Sequence, residues 1–559
     1  GSCCPKCFAI FGSLEMRMHG GRILANALFR QGVEFAFGVP GESFLPLLDG
    51  FVEHTEKMQF ITCRQEGGAA YMAEAYGKLT GKPGVLLVTR GPGASNAIIG
   101  VHTAYQDSTP LVLLIGQVSS EMVGREAFQE MDFRQMFSEC AKWVGSIDRV
   151  DRIDEYISKA FHIAQAGRKG PVVLALPEDM LFALGEENPT LIAHIVQPGL
   201  DQATFEQAMA VFSSAKRPFV IVGGSSWDQE SCALLEQWAN QQCVPIATSF
   251  RYQDLVDNDS PSFAGYIGIA ANVKLTERSQ ASDVVLVIGD RLSEAATGGY
   301  TLFDIPNPRQ TMIHIHPGAQ ELGSVYRPDF ALNCSPRLFV KALAQYPLRM
   351  QTEPGHYQSA REDQILFTKP LPIVGEIQLA QIFSDLSTWI PKDAIITNGA
   401  GNFATWVHRF YRYGGFRTQL APVNGSMGYG LPAAIAAKMT YPNRCVICVA
   451  GDGDFMMNSQ ELATAMRYGI KIIVLILNNG MFGTIRMHQE REYKSRINLT
   501  NPNFVQLAAS YHMLGFQIKK TEQFQAAFQE ALASSQGSII ELVTDPEAIT
   551  PTKRLSELS

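Results

Sequence analysis

RCVICVAGDGDFMMNSQELATAMRYGIKIIVLILNNG (444–480) is the stretch whose reading decides the fold. It opens on an apolar run that reads as a buried strand and ends in Gly451-Asp452-Gly453-Asp454-Phe455. A helix is predicted from near Ser459, with Leu462, Ala465, Met466 and Ile470 on one face. A second strand over 472–477 ends in Asn478-Asn479. A right-handed crossover between parallel strands sets both strand ends on one edge of the sheet, where open α/β sheets bind ligands. Asp452 and Asn479 are thereby expected to converge. A carboxylate and an amide oxygen suit Mg²⁺ or Ca²⁺ rather than zinc, and Mg²⁺ commonly completes its shell with phosphate oxygens. The flanking glycines allow backbone N–H groups close to a phosphate. Met456 and Met457 stand where a dinucleotide fingerprint or a Walker A loop needs other residues. Taken alone, GDG after a strand is a common turn; the Asn pair closing the next strand is what favours a metal role.

The same alternation extends outward. QFITC (59–63), VLLVT (85–89), PLVLLIG (110–116) and PVVLALP (171–177) read as strands, with a helix from Gly67 to Leu79 and another after the glycine turn RGPGASN, to about Gln106. After a polar stretch from Gly185 to Leu200, PFVIVGG (218–224), DVVLVIG (283–289) and MIHIH (312–316) form a second set. Residues 350–372 lose the pattern and read as a linker. A third set begins near 375, with DAIITNG (393–399) as its first strand. The expected fold class is α/β, with three consecutive doubly wound parallel-sheet domains over 15–184, 193–350 and 370–548.

Composition agrees. The 559 residues are 46% hydrophobic and 18% charged, with a net charge of −8. That supports several packed cores, excludes disorder and argues against a nucleic-acid or anionic-membrane binder. No apolar run approaches the ~20 residues of a membrane span, and the start shows no signal peptide. The ten cysteines are scattered as in a reducing, cytoplasmic compartment. Cys445 and Cys448, three apart on a strand, point to opposite faces and cannot share a metal. Cys3, Cys4 and Cys7 lack a second Cys/His cluster to complete a zinc site.

GDGDF…NN resembles the Mg²⁺–diphosphate motif of thiamine-diphosphate (ThDP) enzymes. The resemblance implies that Asp452, Asn479 and the Met481 carbonyl hold Mg²⁺, with Gly451, Gly453, Asp454 and Phe482 beside the diphosphate. It also requires a glutamate on another domain, and CRQEGGAAYMAEAYGKLTG (63–81) supplies Glu66. In isolation, a glutamate at a helix start usually serves the helix dipole. In the acetolactate-synthase-like branch, which this segment resembles, it bonds the aminopyrimidine N1′ and so activates the ring, and a buried setting is expected for it. FGVPGE (37–42), with Pro40, and TRGPGASNAIIGVHTAYQDSTPLVLLIGQV (89–118) are similar to that branch's glycine turns. AFQE (127–130) resembles its substrate-facing loop, placing Phe128 and Gln129 near the reacting carbon. NGSMGYGLPAA (424–434) implies Gly425 as acceptor for the 4′-amino group and Met427 as the wedge between the rings. Gly401, Asn402 and Phe403 fall where the family cradles the diphosphate. The similarity spans roughly residues 15 to 545, and implies a homodimer or homotetramer with shared active sites.

Departures lie where substrate is chosen. The position of the branch's carboxylate-gating arginine, within GDRLSEAATGG (289–299), reads Ala295. His488 replaces an aromatic of the C-terminal loop, offering a titratable group in place of an apolar wall. Arg486 is a candidate replacement cation; its bland alternative, like that of Lys142, is a surface position. FAD is left open but disfavoured, because GYIGIAANV (265–273) and GDRLSE (289–294) only partly resemble the flavin lining. The implied activity is decarboxylation of a pyruvate-like 2-oxoacid with carboligation of the activated aldehyde, by a transferase or lyase with Glu66, Gln129 and His488 as catalytic candidates. The alternatives are a simple 2-oxoacid decarboxylase, a C–C lyase acting on a dione or acyl-CoA, and, more remotely, an inactive ThDP-binding subunit.

Overall fold

The computed structural model describes residues 17–192 and 194–559. Cys3, Cys4 and Cys7 lie outside the described residues. Three six-stranded sheets follow one another along the chain, each entirely parallel.

The first sheet comprises Phe35–Gly38, Gln59–Thr62, Gly84–Val88, Leu111–Gln117, Trp143–Ser146 and Pro171–Pro177. Its spatial order is second, first, third, fourth, sixth, fifth. The third sheet repeats that order with Ile395–Asn398, Gln419–Leu420, Val446–Gly451, Ile473–Asn478, Leu514–Ile518 and Ser538–Val543. The middle sheet runs third, second, first, fourth, fifth, sixth, from Pro218–Val222 through Phe330–Asn333. In each order the first strand and the strand beside it lead their crossovers in opposite directions, and that switch point opens a crevice at the carboxyl ends of the two.

The strands are apolar on both faces because helices cover both. Val85, Leu87, Val112 and Leu114 enter one core of the first domain, while Leu86, Val88, Leu113 and Ile115 enter the other. That second core is continuous with the C-terminal domain. Helix Glu66–Thr80 packs there on helix Gly430–Thr440, which is rich in buried alanines. Small side chains let the two axes approach, and the Tyr71 and Tyr429 rings meet edge-on at 5.4 Å. Cys445 and Cys448 pack into different cores of the third domain, as their spacing requires.

Two sequence expectations change. The segment 350–372 is not a featureless linker: His356–Phe367 is a helix. Its apolar stripe is thin, and polar bonds hold it instead, Arg278 to Asp363 at 2.9 Å and Arg361 Nη1 to the Asn258 and Phe263 carbonyls at 3.0 Å each. After Gly451 the chain turns at once into a short helix, Asp452–Met456, before a 3-10 turn at Ser459–Glu461 and a helix at Leu462–Arg467. Met466 is half exposed and Ile470 lies beyond the helix end, so neither completes the expected apolar face.

Candidate active site

The crevice of the third sheet lies between the ends of Ile395–Asn398 and Val446–Gly451. It opens into a cavity of about 240 Å³. Gly401, Asn402, Phe403, Gly425, Met427, Gly451, Asp452, Gly453, Asp454, Asn479, Met481 and Phe482 all line it. These are the residues that the GDG, Asn-Asn and glycine-turn segments singled out, now on four separate loops around one space.

Asp452 is buried, and its Oδ2 accepts from the Gly480 N–H at 3.0 Å and Asn501 Nδ2 at 2.7 Å. Burial raises its pKa from the ordinary carboxylate value, and the bonds from Asn501 and the backbone oppose that rise. The two asparagines divide the work at the end of the next strand. Asn478 Oδ1 accepts from the Gly480 N–H and Asn501 Nδ2, which shapes the turn. Asn479 reaches the cavity wall, its Oδ1 accepting from the Met481 N–H at 3.2 Å and keeping a second lone pair. One carboxylate, one amide and the nearby Met481 backbone make a hard-oxygen donor set with too little charge to bind a divalent ion alone. It suits Mg²⁺ arriving with a diphosphate.

Asp454 faces the other way. Its Oδ1 accepts from the Gly428 N–H at 2.7 Å and the Ala400 N–H at 3.2 Å, tying together the two glycine loops that flank the crevice. Burial pushes its carboxyl up to about 7. Gly401, at φ +148°, and Gly425, at φ +73°, hold loop conformations that side-chain-bearing residues rarely adopt. A Cβ at Gly453 would sit 2.4 Å from the Phe482 ring, so only glycine lets that ring cover the turn. The cradle fits a diphosphate group and its metal.

Glu66 begins the helix Glu66–Thr80. It is half-buried rather than enclosed, its Oε2 accepts from Asn96 Nδ2 at 2.9 Å, and it does not line the cavity of its own chain. Gln129, at φ +65°, offers its carbonyl to the Gly91 N–H at 3.0 Å. Phe128 beside it is 77% exposed, and Ile99, Met122 and Val123 add further exposed apolar surface on the same domain. Pro40 is exposed in the turn after the first strand.

His488 is exposed on helix Gly483–Glu492 and outside the cavity. Arg486 is engaged by Glu490 at 2.7 Å and Asn498 at 2.9 Å. Lys142 is spent on the carbonyls of Ile163 and Ala166. Ala295 lines an adjoining cavity of about 570 Å³ that shares Gly401, Asn402 and Gly425 with the first and also carries Arg251 and Arg291.

The middle sheet's crevice is bridged by an arginine. Arg168 reaches across it from the first domain, donating to the Tyr105 carbonyl at 2.6 Å and Ser108 Oγ at 2.9 Å and pairing with Glu321 at 3.0 Å. About 20 Å³ remains there, and the space adjoins the 570 Å³ cavity through Gln106, Arg291, Ser293 and Val423.

Sequence reasoning missed Asn501, Thr484, Ile549 and Glu461. Thr484 and Ile549 fix Asn402 through its side-chain oxygen and nitrogen at 2.8 and 3.2 Å. Buried Glu461 accepts from the Arg64 N–H, and a Cβ at Gly68 would lie 2.7 Å from its Cγ. None carries a local signature, except that Glu461 sits within the segment quoted first.

Family models agree with this arrangement, domain by domain. The N-terminal TPP binding domain of thiamine pyrophosphate enzymes matches residues 18–136, the central domain 205–343 and the C-terminal TPP binding domain 399–542. Acetolactate synthase isozyme 2 large subunit of Escherichia coli (strain K12) is 30% identical over 538 residues, covering 94% of this chain and 96% of the relative. A probable acetolactate synthase large subunit of Methanococcus aeolicus is 30% identical, covering 95% and 93%. The mitochondrial acetolactate synthase catalytic subunit of Saccharomyces cerevisiae is 28% identical, covering 94% and 80%. Three matched domains in order, with near-complete overlap at this identity, place the chain among the thiamine-diphosphate-dependent enzymes of decarboxylation and carboligation, in the acetolactate-synthase-like branch.

Proposed function

We propose that this enzyme decarboxylates a pyruvate-like 2-oxoacid, with ThDP and Mg²⁺, and transfers the resulting two-carbon unit to a carbonyl acceptor. The observation that carries the reading is the cavity in which Asp452, Asn479 and Met481 meet the Gly401–Phe403 and Gly425–Met427 loops. When bound, ThDP supplies a nucleophilic ring carbon and an electron sink for the departing carboxylate.

The chain's own residues do the rest. Asp452, Asn479 and the Met481 carbonyl hold the metal, while Gly401, Asn402, Phe403, Gly453 and Phe482 enclose the diphosphate. The Gly425 carbonyl and Met427 position the pyrimidine. Glu66 holds a proton at the pyrimidine edge, and Gln129 and Phe128 face the substrate. Glu66 lies off the cavity of its own chain, beside exposed apolar surface, which supports a homodimer or homotetramer in which a second copy completes each site. The proposed compartment is the cytoplasm.

A second reading, a simple decarboxylase or a C–C lyase, draws support from Arg486. Bound to Glu490 and Asn498, it leaves the substrate side of that loop without a free guanidinium. In that reading His488 relays protons from the rim.

The test is turnover of wild type and Glu66→Gln with pyruvate, ThDP and Mg²⁺. Loss of CO₂ release by at least about 100-fold in the variant, with cofactor binding retained, is expected. Undiminished CO₂ release in Glu66→Gln would overturn the assignment. Free acetaldehyde as the sole product would favour the second reading.

A further inference from the structure

A further cavity, of about 200 Å³, lies where the middle domain, helix His356–Phe367 and helix Ala404–Phe410 meet; it shares no lining residue with the cofactor crevice and only His408 with the 570 Å³ cavity. Arg361, Arg409 and Arg412 line it together with His408, Tyr411 and Thr368.

Each guanidinium is anchored by one edge only. Arg361 uses Nη1 on the Asn258 and Phe263 carbonyls. Arg409 donates Nε to the Phe367 carbonyl at 2.8 Å and lies 4.0 Å from the Phe367 ring. Arg412 donates Nε to Asp259 Oδ1 at 3.0 Å. The remaining N–H groups of all three have no partner among the described residues.

The carboxylates nearby are already in use. Lys392 shares Asp259 and also takes Asp257, both at 3.3 Å, while Asp363 on the cavity's own helix is held by Arg278. Burial lowers the pKa of Arg361 and Arg409 from the usual arginine value, which is the direction expected where charge is incompletely compensated. His408 adds a buried ring. Gln419 Nε2 lies 3.5 Å from its Nδ1, and its Nε2 has no partner among the described residues.

Three half-satisfied guanidinium forks around a space larger than a few waters match one ligand chemistry. We propose that this cavity binds a phosphate-class oxyanion, either inorganic phosphate or a small phosphate monoester. The anion would accept from the free guanidinium edges and so clamp the middle domain to the helix that follows the Gly401–Phe403 loop.

The test is calorimetric titration of the full-length, cofactor-loaded protein with inorganic phosphate and with glycerol 3-phosphate. Wild type is expected to show saturable binding, weakened roughly tenfold or more by Arg409→Gln and abolished in Arg361→Gln/Arg409→Gln. Asp452→Asn is expected to keep it. Tighter binding of glycerol 3-phosphate assigns the site to a monoester, and equal binding assigns it to free phosphate. Because the double variant could misfold, selenate is soaked into wild-type crystals, where an anomalous peak among the three guanidiniums is expected. The proposal fails if wild type shows no saturable binding, if the peak lies elsewhere, or if Asp452→Asn alone removes binding.

Discussion

The Glu461 carboxyl of the C-terminal domain accepts a hydrogen bond from the backbone N–H of Arg64 at 2.7 Å, two residues before Glu66. The loop that follows the metal-side turn therefore holds, within one chain, the turn that carries the ring-activating candidate.

That contact has a pH signature. Burial pushes Glu461 up to about 7, from an ordinary value of 4.5. A carboxyl raised by folding is protonated in both states at low pH. As pH climbs from about 4.5 to about 7 the unfolded chain ionises first, so stability falls, by up to about 3 kcal/mol, and then levels off. Glu461→Gln keeps an oxygen for the Arg64 N–H and should show a shallower decline, since Asp454, also raised to about 7, contributes in the same direction. Urea unfolding of both proteins from pH 4.5 to 7.5 measures it; parallel curves would refute the assignment.

Asn501 touches Asp452 but no cofactor position. Its Nδ2 donates to Asp452 Oδ2 at 2.7 Å and to Asn478 Oδ1 at 3.1 Å, orienting the carboxylate proposed to hold the metal. Asn501→Ala should weaken Mg²⁺-dependent cofactor binding by about 10- to 100-fold with little change in fold. Calorimetric titration of the cofactor at fixed Mg²⁺ reads the effect, and wild-type affinity would remove Asn501 from the site.

Gly399 is packed against Asp454. A Cβ there would lie 2.0 Å from Asp454 Oδ1, the atom that gathers the Gly428 and Ala400 N–H groups. Gly399→Ala should force that carboxylate aside, costing about 1–3 kcal/mol and loosening both loops of the cradle. A lowered unfolding midpoint together with weaker cofactor binding is the expected pair of results.

Lys78 neutralises two buried carboxylates. Its Nζ meets Asp107 at 2.5 Å and Glu74 at 3.0 Å, while Asp107 also receives the Val423 and Asn424 N–H groups and Glu74 the Tyr429 hydroxyl. Lys78→Met strands both charges and should cost about 3–5 kcal/mol. Adding Glu74→Gln should recover part of the loss, as chemical denaturation of the single and double variants would show.

What the amino-acid sequence determined on its own was the alternation of the most apolar strands with helices and the convergence of Asp452 with Asn479; edge strands such as Gln419–Leu420 and Leu514–Ile518 carry too short or too mixed a pattern to be read. Adjacent parallel strands joined by a right-handed crossover must end on the same edge, whatever packs around them. The apolar runs around Val85, Leu113 and Val173 likewise announced strands covered on both faces. Recognition of the loops at Glu66, Gly401 and Gly425 came from resemblance, since no spacing rule links residues so far apart.

Tertiary structure decided the rest, because it depends on contacts between distant segments. Asn501 reaches Asp452 through a loop whose path no periodicity records. Helix His356–Phe367 was hidden because polar bonds, rather than an apolar stripe, hold it in place. Arg486 could be read as free or engaged until Glu490 and Asn498 were found against it. Arg361 and Arg409 are 48 positions apart by subtraction of their numbers, and only the packing of two helices against the middle domain brings their guanidinium groups to one cavity.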